Sequence, residues 1–213
     1  MKTTIIGGFA ILNLAGVASA TVVVDSDWTV NTAITAGSPV GITTSETFQN
    51  LSSSPITSVS VDLDISGGFN GDLYGYLTYQ GANGTVISEM LLDYVGTTTA
   101  NPFGSSGSGM DVTLSDAGTA NGSIHNAAGT ATGTWLADST STLDSTFGGL
   151  SANGTWTLYL ADMSEGSGTS TLISWGLDIN ASSVPEPVDY GWAAGTLVLA
   201  GSIWRLRRKT AIA

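Results

Sequence analysis

Hydrophobic and polar residues alternate with period two through the middle of this 213-residue chain. In the clearest run, residues 57–65, valine, leucine and isoleucine occupy every second position and serine or aspartate lies between them. Alternation of this kind places one side of a strand in a core and the other in water. The pattern recurs at 156–160 and 173–179, and no stretch shows a helical period. The sequence therefore predicts an all-β sandwich of antiparallel strands.

Glycine-rich segments interrupt these strands. Residues 96–109 and 117–134 predict long loops or poorly paired edge segments. Asparagine followed by glycine favours the positive φ angles of hairpin turns. Four such pairs occur: Asn70–Gly71, Asn83–Gly84, Asn121–Gly122 and Asn153–Gly154. Since no repeat or linker divides residues 21–183, we expect one domain there.

Positive charge is confined to the two ends of the chain. The bases are Lys2, Arg205, Arg207, Arg208 and Lys209, against seventeen acids and a net charge of -12. The body therefore has no lysine for a phosphate-binding loop or a Schiff base, and no basic surface for nucleic acid. The chain has no cysteine and only one histidine, His125, so disulfides, thiolate ligands and zinc sites built on two histidines are excluded.

Residues 1–20 have the pattern of a signal peptide. Lys2 precedes an apolar run, and the segment ends in Ala18-Ser19-Ala20, which fits the small residues that signal peptidase accepts. This predicts export and a mature chain that begins at Thr21. A buried amphipathic helix is the alternative, but the run has no polar helical face.

The C-terminal segment, 184–213, begins with Val184, Pro185, Glu186 and Pro187. A charge-free stretch follows from Tyr190 to Trp204, and then come Arg205, Arg207, Arg208 and Lys209. Fifteen residues are short for a helix that spans a bilayer, which needs about 20. This order resembles the PEP-CTERM sorting signal, whose bearers are handed to an exosortase at the inner membrane. The resemblance implies a short hydrophobic helix, a transient inner-membrane anchor, cleavage near Pro185 to Pro187, and release to the surface or extracellular matrix of a Gram-negative bacterium. The alternative is an ordinary single-span anchor.

The body between these ends contains a second set of motifs. They are Ser58 to Ile65, Asn70 to Leu77 with its Gly-Asp-Leu, Gly84-Thr85, Leu143 to Leu150, Asn153 to Asp162, Gly168 to Leu172, and Ser174 to Leu177. Together they resemble the proprotein convertase P domain over residues 45–180. The resemblance implies a jelly-roll sandwich of about eight strands. Ser66-Gly67-Gly68 replaces a histidine that is frequent in the family, and the subtilisin-like protease that usually accompanies the module is absent from this sequence.

Trp156 and Trp175 occupy inward positions of two late strands in that pattern. We expect both indoles to be buried between the sheets, where each contributes several kcal/mol.

His125 is the only residue that could serve as the base of a Ser-His-Asp triad. It lies in a small-residue loop, and the chain has no Gly-x-Ser-x-Gly. We therefore expect His125 to be an exposed loop residue or a local hydrogen-bonding partner, and we expect no catalytic residues. A glycosidase pair among so many acids would arise by chance.

Acids without nearby cations must be solvated, hydrogen-bonded to amides, or bound to a divalent cation. Calcium is the natural candidate, since it prefers oxygen ligands. Asp72, Asp116 and Asp162 lie at turns or strand ends and match acidic positions of the P domain, so they are the candidate calcium ligands. A solvated acidic surface is the favoured alternative.

Tyr74, Tyr76 and Tyr79 suggest an exposed aromatic strip on which sugars could stack, because Tyr74 and Tyr76 share a strand face with Asp72. Packing beneath a loop is the alternative.

The sequence thus predicts an exported, exosortase-sorted, non-enzymatic β-sandwich of the cell surface or extracellular polymeric matrix, with a structural or binding role. Two alternatives stay open. One is a stand-alone P domain that stabilises or regulates an exported serine protease. The other is a carbohydrate-binding module, whose partner would be extracellular polysaccharide.

Overall fold

Nine β-strands make up about half of the described residues in a computed structural model, which describes residues 20–166 and 168–182. The strands are β1 (Ala20–Ile34), β2 (Ile42–Phe48), β3 (Ile56–Ser66), β4 (Leu73–Gly81), β5 (Val86–Asp93), β6 (Met110–Leu114), β7 (Ala131–Trp135), β8 (Gly154–Asp162) and β9 (Ser170–Ser182). One short helix, α1 (Leu143–Phe147), and three 3-10 turns (Asn70–Asp72, Gly118–Ala120 and Ile124–Asn126) complete the elements.

The strands form two sheets. One has five strands in the order β1-β9-β3-β6-β7, and the other has four in the order β2-β8-β4-β5. This confirms the predicted all-β sandwich. The number of strands is nine rather than about eight, and β7 runs parallel to β6. A parallel neighbour requires a long crossover, and residues 115–130, with two of the 3-10 turns, provide it.

The core lies between the sheets and contains both predicted tryptophans. Trp156 of β8 and Trp175 of β9 are fully buried and belong to opposite sheets. Trp156 lies 5.0 Å from Phe147, and Trp175 lies 4.9 Å from Trp28, measured between ring centroids. Each indole removes roughly 150–250 Å² from water, which at about 25 cal/mol per Å² is worth roughly 4–6 kcal/mol before entropy is counted.

Only one of the four Asn-Gly pairs joins a hairpin. Asn83–Gly84 connects β4 to β5, with Gly84 at φ +83°. Asn70 is buried at the start of a 3-10 turn, and Asn121–Gly122 lies in the β6–β7 crossover. Asn153 precedes β8, and its side chain donates to the Leu51 carbonyl and accepts from the Leu51 N–H. The prediction of hairpin turns was wrong at these three positions because asparagine also hydrogen-bonds distant backbone.

Helix α1 also departs from the prediction. Five residues make a little over one turn, too few for a helical period to be visible in the sequence. A capping box holds its start, in which Thr142 accepts the Ser145 N–H and the Ser145 hydroxyl accepts the Thr142 N–H. None of the helices in the described ranges is long and apolar enough to cross a membrane. The predicted signal peptide, except for Ala20, and the predicted sorting signal lie outside the described residues.

Candidate functional site

The outer faces of the two sheets differ in charge. Six aspartates point outward from the five-stranded sheet: Asp25, Asp27, Asp62, Asp64, Asp111 and Asp178. In register, Asp25 lies opposite Asp178, and Asp64 lies opposite Asp111. Partial burial, followed by the charge of neighbouring aspartates, raises the pKa of Asp27 and of Asp178 above 3.8. We call this surface the acidic face.

The four-stranded sheet presents an almost uncharged outer surface. Its outward positions are occupied mainly by Tyr, Thr and Ser, and only Asp93, at the end of β5, is charged. Hydroxyl groups pair across neighbouring strands in three places, at 2.8 Å for Ser45 with Thr157, 2.9 Å for Thr47 with Thr155, and 2.8 Å for Thr78 with Ser88. Such cross-strand pairs stabilise the sheet and fix the direction of each hydroxyl.

One end of this surface carries four tyrosines in contact, which we call the tyrosine strip: Tyr159, Tyr76, Tyr74 and Tyr94. Tyr159 and Tyr76 are register partners on β8 and β4, and their rings stack with centroids 4.7 Å apart. The Tyr76 ring meets the Tyr74 ring edge-on at 6.3 Å, and the Tyr74 ring lies 5.8 Å from that of Tyr94. All four side chains are half-buried, so each ring keeps an exposed part.

The strip confirms part of the sequence hypothesis and corrects the rest. Tyr74 and Tyr76 do lie on an outer face, but Tyr79 does not. Tyr79 has the opposite phase on β4, is 4% exposed, packs on Trp156 and donates its hydroxyl to the Asn153 carbonyl at 2.9 Å. Sequence reasoning missed Tyr94 and Tyr159. The outward phase of Tyr159 follows from the alternation at 156–160, but its place beside Tyr76 depends on strand order.

Both ends of the strip lie beside exposed apolar side chains. At one end the Tyr159 hydroxyl donates to the Pro39 carbonyl, and the adjacent Val40 is 80% exposed. At the other end Tyr94 lines a cleft of about 370 Å³ with Asp72, Met163 and Phe103, and Phe103 is 84% exposed. Val40 and Phe103 are the most exposed large hydrophobic side chains in the described residues. Exposed apolar side chains beside aromatic rings are a common feature of binding sites.

Tyr94 is held in an unusual backbone conformation. Its φ is +53°, in the left-handed region that tyrosine rarely adopts. The turn is fixed because the Tyr94 N–H donates to the Leu73 carbonyl and the Thr97 N–H donates to the Tyr94 carbonyl, each at 3.0 Å. Strain of this kind is concentrated at functional sites.

Two phenols of the strip, those of Tyr74 and Tyr159, have a raised pKa. Burial, followed by the charge of Asp93, raises the pKa of Tyr74 above 10.0. Burial also raises the pKa of Tyr159. These two residues therefore offer aromatic surface and neutral hydroxyl groups.

His125 makes two hydrogen bonds and is part of an ion pair. Its Nδ1 lies 2.7 Å from Oδ2 of Asp138, and its Nε2 lies 2.8 Å from the Thr97 carbonyl. Because both nitrogens face acceptors, the surroundings favour the doubly protonated ring, and the hydrogen bond to Asp138 raises the pKa of His125 above 6.5. Neither nitrogen faces a serine hydroxyl, so His125 does not form a Ser-His-Asp triad. The interpretation as a local hydrogen-bonding partner is confirmed.

The three candidate calcium ligands do not meet at one site. Asp116 accepts the N–H groups of Leu143 and Asp144 at the start of α1, at 3.1 and 3.2 Å. Asp72 and Asp162 lie together at the C-terminal end of β8, where the Asp72 carbonyl accepts the Met163 N–H. Asp162 is fully buried, it accepts the Ser170 hydroxyl at 2.9 Å, and burial raises its pKa.

Within the residues that the structure describes, no group of three or more His, Cys, Asp or Glu side chains is placed to hold a metal ion. Calcium binding stays the less favoured alternative to a solvated acidic surface.

Comparisons with known proteins give one kind of likeness. No family model matches the chain, and no curated protein matches it. Among solved structures, the serine protease of Aeromonas sobria is similar, with 16% identity, 79% of this chain and 28% of that chain covered, and a TM-score of 0.46. The complex of that protease and its chaperone gives 16% identity, coverage of 78% and 28%, and a TM-score of 0.45. The chain thus spans just over a quarter of the length of these proteins.

Proposed function

We propose that this chain is an exported, non-enzymatic β-sandwich protein of the cell surface or extracellular polymeric matrix, and that the tyrosine strip is its binding surface. The observation that carries the proposal is the contrast between the two outer faces. One face concentrates six aspartates, which favours solubility through mutual repulsion of molecules. The other is nearly uncharged and carries a line of exposed aromatic rings.

Export rests on the two terminal segments. Residues 1–20 have the composition of a signal peptide, and residues 184–213 have the order of parts of an exosortase sorting signal. We infer that the inner membrane holds the chain transiently and that a sorting peptidase removes the tail. A non-enzymatic role is supported by His125, whose two nitrogens are both engaged by Asp138 and Thr97.

The intact mass of the secreted protein tests the two terminal segments. We expect a chain that begins at Thr21 and ends near Pro187. In a strain without the sorting peptidase, the protein should keep its C-terminal tail and be heavier by the mass of that tail. It should also be absent from the matrix fraction. A secreted protein that keeps residues 188–213 in the normal strain would contradict sorting and leave a simple anchor.

Retention on washed extracellular matrix tests the binding role. Wild-type protein should be retained, and the double variant Tyr76→Ala/Tyr159→Ala should pass through. Asp27→Asn, on the acidic face, is the matched control and should be retained like the wild type. Equal retention of all three proteins would argue against a binding role for the strip. Co-purification of an exported serine protease would instead support the protease-associated alternative.

A further inference from the structure

The tyrosine strip is a path of four phenol rings in contact. Its consecutive ring centroids are separated by 4.7, 6.3 and 5.8 Å. The path crosses from Tyr159 on β8 to Tyr76 on β4, then follows β4 to Tyr74 and reaches the cleft beside Tyr94. Phenol and pyranose rings are similar in size, and the apolar C–H face of a sugar packs well on an aromatic ring. Because Tyr159 and Tyr76 stack on each other, a sugar would pack on the parts of these rings that stay exposed.

Charge narrows the range of ligands for this surface. No lysine or arginine occurs between residues 20 and 182, and the one charged group that points outward from the four-stranded sheet is the Asp93 carboxylate. A polyanion such as a nucleic acid, a uronate polymer or an anionic lipid surface would find no counter-charge here. A polycation would find more counter-charge on the acidic face, which has six carboxylates, than beside the strip, where Asp93 and Asp72 lie. The strip therefore fits a ligand without charge.

Hydrogen-bonding groups surround the rings. Tyr74 lies opposite Asp93 on β5, and Asp72 lines the adjoining cleft. Carboxylates accept hydrogen bonds from ligand hydroxyls. The Thr78–Ser88 pair, on the same face as Tyr76, keeps further lone pairs free after its mutual hydrogen bond. Aromatic surface bordered by acceptors and hydroxyls matches a ligand whose rings have apolar faces and hydroxylated edges.

We propose that the tyrosine strip binds an extended, uncharged polysaccharide, with pyranose rings packed on the exposed parts of the stacked Tyr159 and Tyr76 and of Tyr74, and one chain end in the cleft beside Tyr94. The inference rests on the proposed function, because it names the ligand of the same binding surface. Asp93 and Asp72 accept hydroxyl groups at the edges of the bound chain.

Affinity electrophoresis and isothermal titration of the mature exported protein test the proposal. The probes are hydroxyethylcellulose, dextran and laminarin as neutral glycans, alginate as a polyanion and chitosan as a polycation. We expect wild-type protein to bind at least one neutral glycan, with an affinity that changes less than twofold between 50 and 500 mM salt, because no ion pair contributes.

Matched variants locate the binding. Tyr76→Ala should weaken binding at least tenfold, Tyr76→Phe should change it less than threefold because the ring face is kept, and Asp27→Asn on the acidic face should leave it unchanged. Melting curves identify variants that fail to fold. If Tyr76→Ala fails to fold, the wild-type protein with labelled tyrosine is used instead. Neutral glycan should then shift the ring signals of the strip but not that of Tyr79.

Several outcomes would overturn the proposal. One is binding to alginate or chitosan alone, lost at high salt. A second is that no glycan binds, the wild-type protein sediments as a dimer, and Tyr76→Ala is a monomer. The strip would then be occupied by a second copy of this chain. A third is the absence of binding to every neutral glycan. If no neutral glycan binds but the protein is still retained on matrix through the tyrosine strip, the assignment of a polysaccharide ligand is wrong and the proposed function is kept. If glycans bind but the protein is not exported, the proposed function fails and the ligand assignment survives.

Discussion

The carboxylate of Asp138 lies 2.7 Å from Nδ1 of His125 and forms the one ion pair found in residues 20–166 and 168–182. It also accepts the N–H of Asp93, at 3.2 Å. On the other side of the ring, Nε2 donates to the carbonyl of Thr97, which belongs to the turn of Tyr94. The His125–Asp138 pair thus connects two segments to Asp138. One is the end of β5, through Asp93, and the other is the turn that presents Tyr94, through His125 and Thr97.

This ion pair makes stability depend on pH in a defined direction. The pKa of His125 is raised by Asp138, so the folded state binds the proton more tightly than the unfolded state. The stabilisation is fully present below pH 6.5 and is lost as the pH rises through the folded-state pKa. We expect His125→Gln to lower the free energy of unfolding by about 1–2 kcal/mol at pH 6 and by less at pH 9. Urea unfolding at both values measures this.

Asp138→Asn is the partner control for that experiment. It should remove the same pH-dependent part of the stability, because the imidazolium then loses its counter-charge. A wild-type stability that is flat between pH 6 and pH 9 would show that the pair contributes nothing.

The acidic face predicts a pH effect of the same sign at lower pH, but here it is the ionised form that destabilises the folded state. Burial and neighbouring carboxylates raise the pKa of Asp178, so its ionised form is less favourable in the folded state than in the unfolded state. Stability from this group is gained as the pH falls through the raised pKa towards 3.8. At pH 7, Asp178→Asn should therefore stabilise the protein by at most about 0.5 kcal/mol, or about 1–2 °C in melting temperature.

Salt provides the check on the acidic-face prediction. In 1 M NaCl the gain from Asp178→Asn should shrink, because repulsion between exposed carboxylates is screened. A destabilised variant at low salt would mean that the Asp178 carboxylate makes a favourable contact that outweighs the repulsion.

Calcium is tested at the end of β8. Both carboxylate oxygens of Asp162 accept hydrogen bonds, from the Ser170 hydroxyl and the Ser164 N–H. A calcium ion would have to displace these donors, so we expect millimolar calcium to change the melting temperature by less than about 1 °C relative to chelator. A rise of several degrees that Asp162→Asn abolishes would establish a site.

The sequence was sufficient wherever local periodicity decides the structure. The alternation at 57–65 and 173–179 predicts the inward residues of β3 and β9, and the two indoles follow from the same rule. For β7, at the edge of its sheet, the sequence predicts only a long loop or a poorly paired edge segment, because its residues, Ala131–Trp135, alternate weakly and contain glycine. The start of α1 depends on a capping box that leaves no periodic signal.

The candidate site was predictable only in part for the same reason. The outward phase of Tyr74 and Tyr76 on β4 is a local feature of the sequence. The same alternation turns Tyr79, three positions after Tyr76, into the core, so the prediction that Tyr79 belongs to the exposed strip was wrong. The contact between Tyr76 and Tyr159 depends on β8 pairing with β4 across about 80 residues of sequence. The turn of Tyr94 is hydrogen-bonded to His125, which lies 28 residues after Thr97 of that turn. Long-range pairing of this kind cannot be read from the spacing of residue types.

The two buried tryptophans allow a matched test of core energetics. Nε1 of Trp156 donates to the Ala152 carbonyl at 3.1 Å, whereas Nε1 of Trp175 is buried without a hydrogen-bond partner among the described residues. Substitution by phenylalanine leaves a cavity at either position, but only at Trp156 does it also break a hydrogen bond and leave a buried carbonyl without that donor. We expect Trp175→Phe to cost about 1–2 kcal/mol and Trp156→Phe about 1 kcal/mol more, measured by guanidinium unfolding. A larger cost at Trp175 would contradict this. It would mean that the packing of the Trp175 indole against Trp28 contributes more to stability than the hydrogen bond of Trp156 does.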